Sequence, residues 1–171
     1  MKIVLLGYMG SGKSTIAKRV SNGINLRLID LDDYIVAQEE MSIPSIFESK
    51  GEIYFRLQES KYLKQLLERK EGLVIALGGG TPCYGDNMEW IKNNAKSFYL
   101  KASIQTLCNR LIKEKEQRPL IAAFDEAQLT EFVAKHLFER RNFYQQAEYI
   151  ISIDEKTIEE IVGEIILKLD V

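Results

Sequence analysis

The chain has 171 residues, the length of one ordinary domain with room for a real core. It is 46% hydrophobic and 28% charged, with a formal charge of −2 and both signs interspersed, so it carries no electrostatic footprint for nucleic acid. No apolar run is long enough for a membrane span, Cys83 and Cys108 form neither a disulfide framework nor a zinc site, and a single histidine, His136, excludes multi-histidine metal centres.

Residues 2–6 form a short apolar run, the pattern of a buried parallel strand. The run breaks into Gly7-Tyr8-Met9-Gly10-Ser11-Gly12-Lys13-Ser14, which matches G-x-x-x-x-G-K-[ST] at each fixed position. Ile16, Ala17 and Val20 then recur at helical spacing. Strand, glycine-rich turn and helix together are the setting of a phosphate-binding loop. The glycines permit a curl in which successive N–H groups point inward, and the helix N-terminus adds its own donors, making a nest for a polyphosphate. Lys13 brings a point charge to the β- and γ-phosphates, and the Ser14 hydroxyl can ligate the magnesium ion that bridges them. The stretch predicts binding of a nucleoside triphosphate. As a core strand, the N-terminus is not the pattern of a signal peptide, and the cytoplasm is the expected compartment.

Asn22-Gly23 marks a helix stop and residues 26–29 a second short strand, which runs into Asp30-Leu31-Asp32-Asp33. Consecutive strands in such folds usually neighbour one another, so this acidic end is expected to face the phosphate loop. Along an extended segment Asp30 and Asp32 point the same way. One carboxylate would hold magnesium, directly or through water, and the other would accept a proton from a substrate hydroxyl. A competing reading makes Asp30 or Asp33 the N-cap of a helix over 34–40. Helical segments follow at 45–48 and from about 52 to 69, where Phe55, Tyr62, Leu63, Leu66 and Leu67 share a face. On that helix Glu59, at i+3, is placed to hold the guanidinium of Arg56. A third buried strand at 73–77 ends in Gly78-Gly79-Gly80, where a nucleotide hydrolase would carry a metal-binding acid. Three glycines instead allow a small ligand close to the backbone, which leaves Asp30 as the metal-supporting carboxylate.

A short helix at 86–93 precedes a strand at 97–100, and Ile104, Leu107, Cys108, Leu111 and Ile112 define another amphipathic helix. Residues 113–125 are polar and read as a loop, in which Pro119 stiffens an arginine, Arg118, able to reach the phosphates on closure. A long helix at 129–146 carries His136, read as a structural or surface residue, and the doublet Arg140-Arg141, one of which is expected to be solvated. The last strand lies at 149–153, and a Thr157-x-x-Glu160 capping box opens a terminal helix with Ile158, Ile161, Val162, Ile165, Ile166 and Leu169 on one face. Five strands alternating with helices predict an α/β fold, a parallel sheet covered on both faces, with phosphate chemistry at the carboxyl ends of the strands. Three separated arginines suit a carboxylate-bearing substrate and transition-state charge, and the pattern leaves their division of labour open.

Gly7 to Thr15, Asp30-Leu31-Asp32, Phe55-Arg56-x-x-Glu59, Leu77-Gly78-Gly79-Gly80, Arg118-Pro119-Leu120 and Arg140 four before Tyr144 occur together. In order and spacing, across nearly the whole chain, this set resembles the shikimate kinases, of the nucleoside-monophosphate-kinase-like branch of P-loop folds. The resemblance implies a three-layer α/β/α P-loop kinase fold with a five-stranded parallel sheet. It implies one domain over 1–171, a substrate-binding insertion at about 32–60 and a lid at about 113–125. The implied reaction is transfer of the ATP γ-phosphoryl group to the 3-hydroxyl of shikimate, on the way to chorismate and the aromatic amino acids. Carried over by position, Gly10, Ser11, Gly12, Lys13, Ser14 and Thr15 hold the nucleotide, and Ser14 and Asp30 serve Mg2+. Asp32 contacts the shikimate hydroxyls and is the family's proposed base. Arg56 and Arg140 clamp the carboxylate, Gly79 bonds a hydroxyl between Gly78 and Gly80, and Phe47 and Phe55 line the ring pocket. Lys13 and Arg118 meet the transferring phosphoryl group, while Arg110 and the segment near 154–156 flank the adenine. A monomer is implied, with ATP and shikimate as partners and neither nucleic acid nor membrane. Asn142 stands where the family usually has proline, and Arg141 adds a second cation. A gluconate-type kinase is the runner-up, but it gives no reason for Phe55-Arg56, three glycines and Arg140 together. A guanine-specific switch would carry a base-reading N-K-x-D motif, which the chain lacks.

Overall fold

Residues 3–6 are fully buried, and they belong to β1 (Lys2–Leu6), the central strand of a five-stranded sheet. The computed structural model describes residues 1–118 and 120–169. The other strands are β2 (Arg27–Asp30), β3 (Leu73–Ala76), β4 (Lys96–Lys101) and β5 (Tyr149–Ser152), in the spatial order β2-β3-β1-β4-β5. Each neighbouring pair is parallel, as the alternation of strands and helices predicts.

The expectation that the second strand lies beside the first is corrected: β3 sits between them. Burial supplies the reason. All four residues of β3 are buried and need a strand on either side and a helix over each face. β2 has an exposed Arg27 and half-buried Leu28 and Asp30, a pattern that suits an edge. In register, Asp30 lies beside Ala76 and Ala76 beside Leu5, so the carboxyl ends of the three strands stay level.

Helix α1 (Lys13–Gly23) packs on β3 and against α7 (Ile158–Leu167), whose Thr157/Glu160 capping box is formed as predicted. Helix α2 (Leu31–Glu39) packs against α3 (Ile43–Glu68), which also meets α4 (Asn87–Asn94). The two helical segments expected at 45–48 and 52–69 are the halves of α3, broken at Gly51, whose φ of 84° no ordinary helical residue adopts. Helix α5 (Ile104–Glu114) packs on α6 (Glu126–Tyr144). The loop expected from 113 is shorter, because α5 continues to Glu114 and a 3-10 turn covers Lys115–Gln117. Pro119 lies outside the described residues. Helix α6 starts three residues before the expected 129, where Asp125 and Gln128 form a reciprocal capping box.

Candidate active site

A cavity of about 490 Å3 opens at the carboxyl ends of β1, β2 and β3. Gly10, Gly12, Lys13, Ser14 and Thr15 line it from the phosphate loop, Asp30 and Asp32 from the start of α2, Gly78 and Gly79 from the end of β3, and Arg110, Glu114 and Arg118 from α5 and beyond. Gly12, in left-handed backbone, precedes α1 without a side-chain cap, so the first N–H groups of that helix are left for an anion. The Lys13 ammonium donates to the carbonyls of Gly7 and Tyr8, each at 2.9 Å. Burial brings its pKa down to about 8, against the pull of Asp32 and Asp30.

Asp30 has two roles in the structure. Its Oδ1 accepts from the Asp32 N–H at 3.0 Å, which makes it the N-cap of α2, and its Oδ2 accepts from the Ser14 hydroxyl at 3.1 Å. Asp32 therefore lies in the first turn of a helix and not along an extended strand, which corrects the expected geometry. The two carboxylates converge because a cap and the second residue of its helix lie side by side. Burial raises the Asp32 carboxyl to about 6, Asp30 and Glu59 push the same way, and Lys13 opposes them.

The three glycines after β3 each leave room for at least one side chain. A Cβ on Gly78 would lie 3.0 Å from Asp32 Oδ1, on Gly79 3.3 Å from Arg140 Nη1, and on Gly80 2.8 Å from both terminal nitrogens of Arg56. An aspartate and two arginines from three separate segments thus meet one short stretch of backbone. Arg56 Nη1 donates to Glu59 Oε2 at 2.9 Å, and Glu59, only 1% exposed, also accepts from Thr81 Oγ1 at 2.5 Å. This is a buried ion pair and not a surface one. The Arg56 guanidinium faces the Tyr84 ring at 4.4 Å, while its Nε is buried without a hydrogen-bond partner. Phe55 lies 5.3 Å from the guanidinium on another side, and Phe47 packs at a tilt on Phe55 with centroids 4.8 Å apart.

The arginine doublet is resolved by direction. Arg140 lies over the Tyr8 ring at 5.7 Å and against Gly79. Arg141 is exposed, lies over Phe138 at 4.7 Å, and lines a separate cavity of about 320 Å3. Arg118 is held by Glu114 Oε2 through Nε at 3.0 Å and Nη2 at 2.6 Å. Arg110 Nη1 donates to the Gly10 carbonyl at 3.2 Å. Lys156 lines the cavity with Ile158 and Ile161, whereas the Asp154 carboxylate is turned to the Ser103 N–H and hydroxyl that open α5. Ser11 is fully buried behind the loop, and its hydroxyl has no partner.

Sequence reasoning missed the supporting aromatic residues. Tyr144 donates its hydroxyl to the Gly79 carbonyl at 2.6 Å, and Tyr84 covers Arg56 while donating to Glu52 at 3.0 Å. The spacing of Tyr144 from Arg140 was a usable signal for the first; nothing in the pattern marks the second.

The shikimate kinase family model matches residues 9–170. The chain belongs to the shikimate kinase family. Its activity is the family's, transfer of the γ-phosphoryl group of ATP to shikimate by a P-loop kinase. It is 49% identical to the shikimate kinase of Flavobacterium johnsoniae over 166 residues, 96% of each chain. Among solved structures, shikimate kinase from Bacteroides thetaiotaomicron superposes with a TM-score of 0.93 at 35% identity, covering 100% of this chain and 99% of that one. Shikimate kinase from Acinetobacter baumannii, solved in complex with shikimate, gives 0.85 at 29% identity, covering 99% and 93%. The expected α/β P-loop kinase fold is thereby shown.

Proposed function

We propose that the cavity beside the phosphate loop takes ATP and that shikimate lies across Gly78–Gly80, its 3-hydroxyl directed at the γ-phosphate. One observation carries this reading: Asp32, Arg140 and Arg56 converge on three consecutive glycines next to Lys13. Arg56 and Arg140 grip the carboxylate, and the Arg56 Nε, which makes no hydrogen bond and lies 3.7 Å from Glu52 Oε1, is among the donors. Phe47 and Phe55 wall the ring, and Gly79 bonds a hydroxyl. Asp32, with a pKa of about 6, is ionised at neutral pH yet basic enough to take the proton of the reacting hydroxyl. Lys13 and Arg118 meet the negative charge of the phosphoryl group in flight, and Arg118 exchanges Glu114 for phosphate oxygens. Gly10, Ser11, Gly12, Ser14 and Thr15 hold the phosphate tail, and Arg110 and Lys156 flank the base.

The donor set fits Mg2+. Ser14 Oγ and Asp30 Oδ2 are hard oxygens 3.1 Å apart, and no cluster of three or more histidine, cysteine or acidic ligands exists among the described residues. Such a sparse protein share suits an ion completed by phosphate oxygens and water. When bound, the ion neutralises the β- and γ-phosphates. Residues 32–60 act as the substrate-binding insertion and 113–125 as the lid of a single domain. The protein is proposed to act as a monomer. A cytoplasmic setting agrees with the finding that no helix among the described residues is long and apolar enough to cross a membrane.

The test is ADP release with ATP, Mg2+ and a panel of hydroxy acids. Shikimate-dependent release is expected. Phosphorylation of gluconate alone, or hydrolysis with no acceptor, would overturn the reading.

A further inference from the structure

Arg140, the proposed carboxylate ligand, has no ion-pair partner among the described residues, so its aim is set by what lies around it. Tyr8 lies under its guanidinium. This loop residue is 1% exposed, and its hydroxyl shares a 3.1 Å hydrogen bond with His136 Nδ1. His136 precedes Arg140 by four residues on α6, one helical turn, so both present the same face to the Tyr8 ring. Phe132, a further turn back, packs on the imidazole at 4.2 Å. The phenol is thereby fixed at its hydroxyl by His136 and at its face by Arg140. The main-chain carbonyl of the same tyrosine accepts the Lys13 ammonium at 2.9 Å. Burial pushes the Tyr8 pKa up to about 12 and keeps the phenol protonated, while burial and the Arg140 charge hold His136 below its usual value and favour the neutral imidazole; in the tautomer with its proton on Nε2, the phenol donates to Nδ1. Of the other groups near the imidazole, Glu139 favours its charge and Lys135 opposes it.

We propose that the Tyr8–His136 hydrogen bond is a positioning device that ties the phosphate loop to the acceptor-binding helix, holding Arg140 in aim and coupling the two substrate sites. A nucleotide that draws Lys13 from the Tyr8 carbonyl shifts the residue on which the acceptor clamp rests. The proposal builds on the reading of Arg140 as a carboxylate ligand.

Tyr8→Phe and His136→Leu each remove the bond. Either is expected to raise the KM for shikimate about fivefold to tenfold, the factor one neutral hydrogen bond is worth, with kcat changed less than twofold. The double variant adds nothing further. Calorimetric titration of shikimate into ADP-loaded and nucleotide-free protein gives a ratio of Kd values that moves towards one in both variants. His136→Asn keeps an acceptor near the Nδ1 position and restores KM and ratio. Arg140→Ala is the control. If it raises the KM for shikimate while Tyr8→Phe and His136→Leu leave it unchanged, the positioning role is overturned and the Arg140 reading stands. If Arg140→Ala also has no effect, the Arg140 reading falls, and the proposal with it. A Kd ratio of one in the parent protein, or no rescue by His136→Asn, also overturns the coupling.

Discussion

Removing the Arg56 guanidinium should damage stability and substrate binding through different atoms, and the two losses can be separated. Glu59 is 1% exposed and Arg56 17%, so Arg56→Met strands a buried carboxylate. Breaking a buried pair from one side costs about 3–5 kcal/mol. Partial exposure of Arg56 and the surviving Thr81 hydroxyl, 2.5 Å from Glu59 Oε1, place this case near 3 kcal/mol. At about 2–4 °C per kcal/mol for a domain of this size, the melting temperature should fall by roughly 6–12 °C. Adding Glu59→Gln removes the stranded charge, leaves an oxygen for Thr81, and should return about 2 kcal/mol. It cannot restore the grip on shikimate, which loses about 2–5 kcal/mol in either variant, roughly 30-fold to several thousandfold in Kd. Urea unfolding and calorimetric titration of shikimate, run on the parent, both single variants and the double, check the cycle. A double variant as unstable as Arg56→Met would show that the orphaned charge is not the cause, and recovery of shikimate affinity by the double would remove Arg56 from the carboxylate site.

Asp32→Asn should lower turnover by about two orders of magnitude while leaving ADP affinity intact, and near-normal turnover would exclude an essential base. In metal-free protein the same carboxyl, raised from 3.8 to about 6 by burial first and Asp30 next, costs stability when charged. That cost is absent below about pH 4 and complete above about pH 6, so in EDTA the Asn variant should match the parent at pH 4 and exceed it at pH 8 by up to about 3 kcal/mol. A difference that does not change with pH would refute the assignment. Glu39 accepts from the Tyr54 and Tyr62 hydroxyls, each at 2.7 Å, and with Lys50 these hold its pKa below the usual carboxylate range. Its contribution is present above the unfolded pKa and lost as pH falls through the folded one, so Glu39→Gln should flatten the acid limb of a stability–pH curve and leave the curves parallel around neutral pH. Arg141→Ala should leave the KM for shikimate within about twofold, since the side chain faces Phe138; a rise like that of Arg140→Ala would contradict the direction seen here.

What could be read from the chain alone was whatever rests on local periodicity. β1, the phosphate loop and α1 were legible because an apolar run, a fixed glycine spacing and a helical face coincide within twenty residues. The place of β2 was not, because strand order depends on how buried β3 must be, a comparison between strands some forty residues apart. Asp32 was expected beside the phosphate loop and lies there on a different backbone: competition between strand end and helix cap at Asp30 is settled by the Asp32 N–H, which a sequence pattern does not show. Tyr84 was beyond reach, since a ring stacked on a cation obeys no period.

Which of Arg140 and Arg141 faces the glycines, by contrast, was contained in the helix that carries them. Leu129, Val133, His136, Arg140 and Tyr144 follow at steps of four, three, four and four, one continuous face of α6. Leu129, Val133 and Tyr144 are buried, so the face that starts as core ends at the glycines, where Tyr144 reaches the Gly79 carbonyl. A cation on the core-facing stripe of a helix is costly unless an anion awaits it, and Arg140 has none within the described protein. Its neighbour, about 100° further round, meets solvent and Phe138 at no such cost. Arg140 is therefore the arginine whose position packing alone would have filled with leucine, and in the proposed site the acid it awaits is the substrate's.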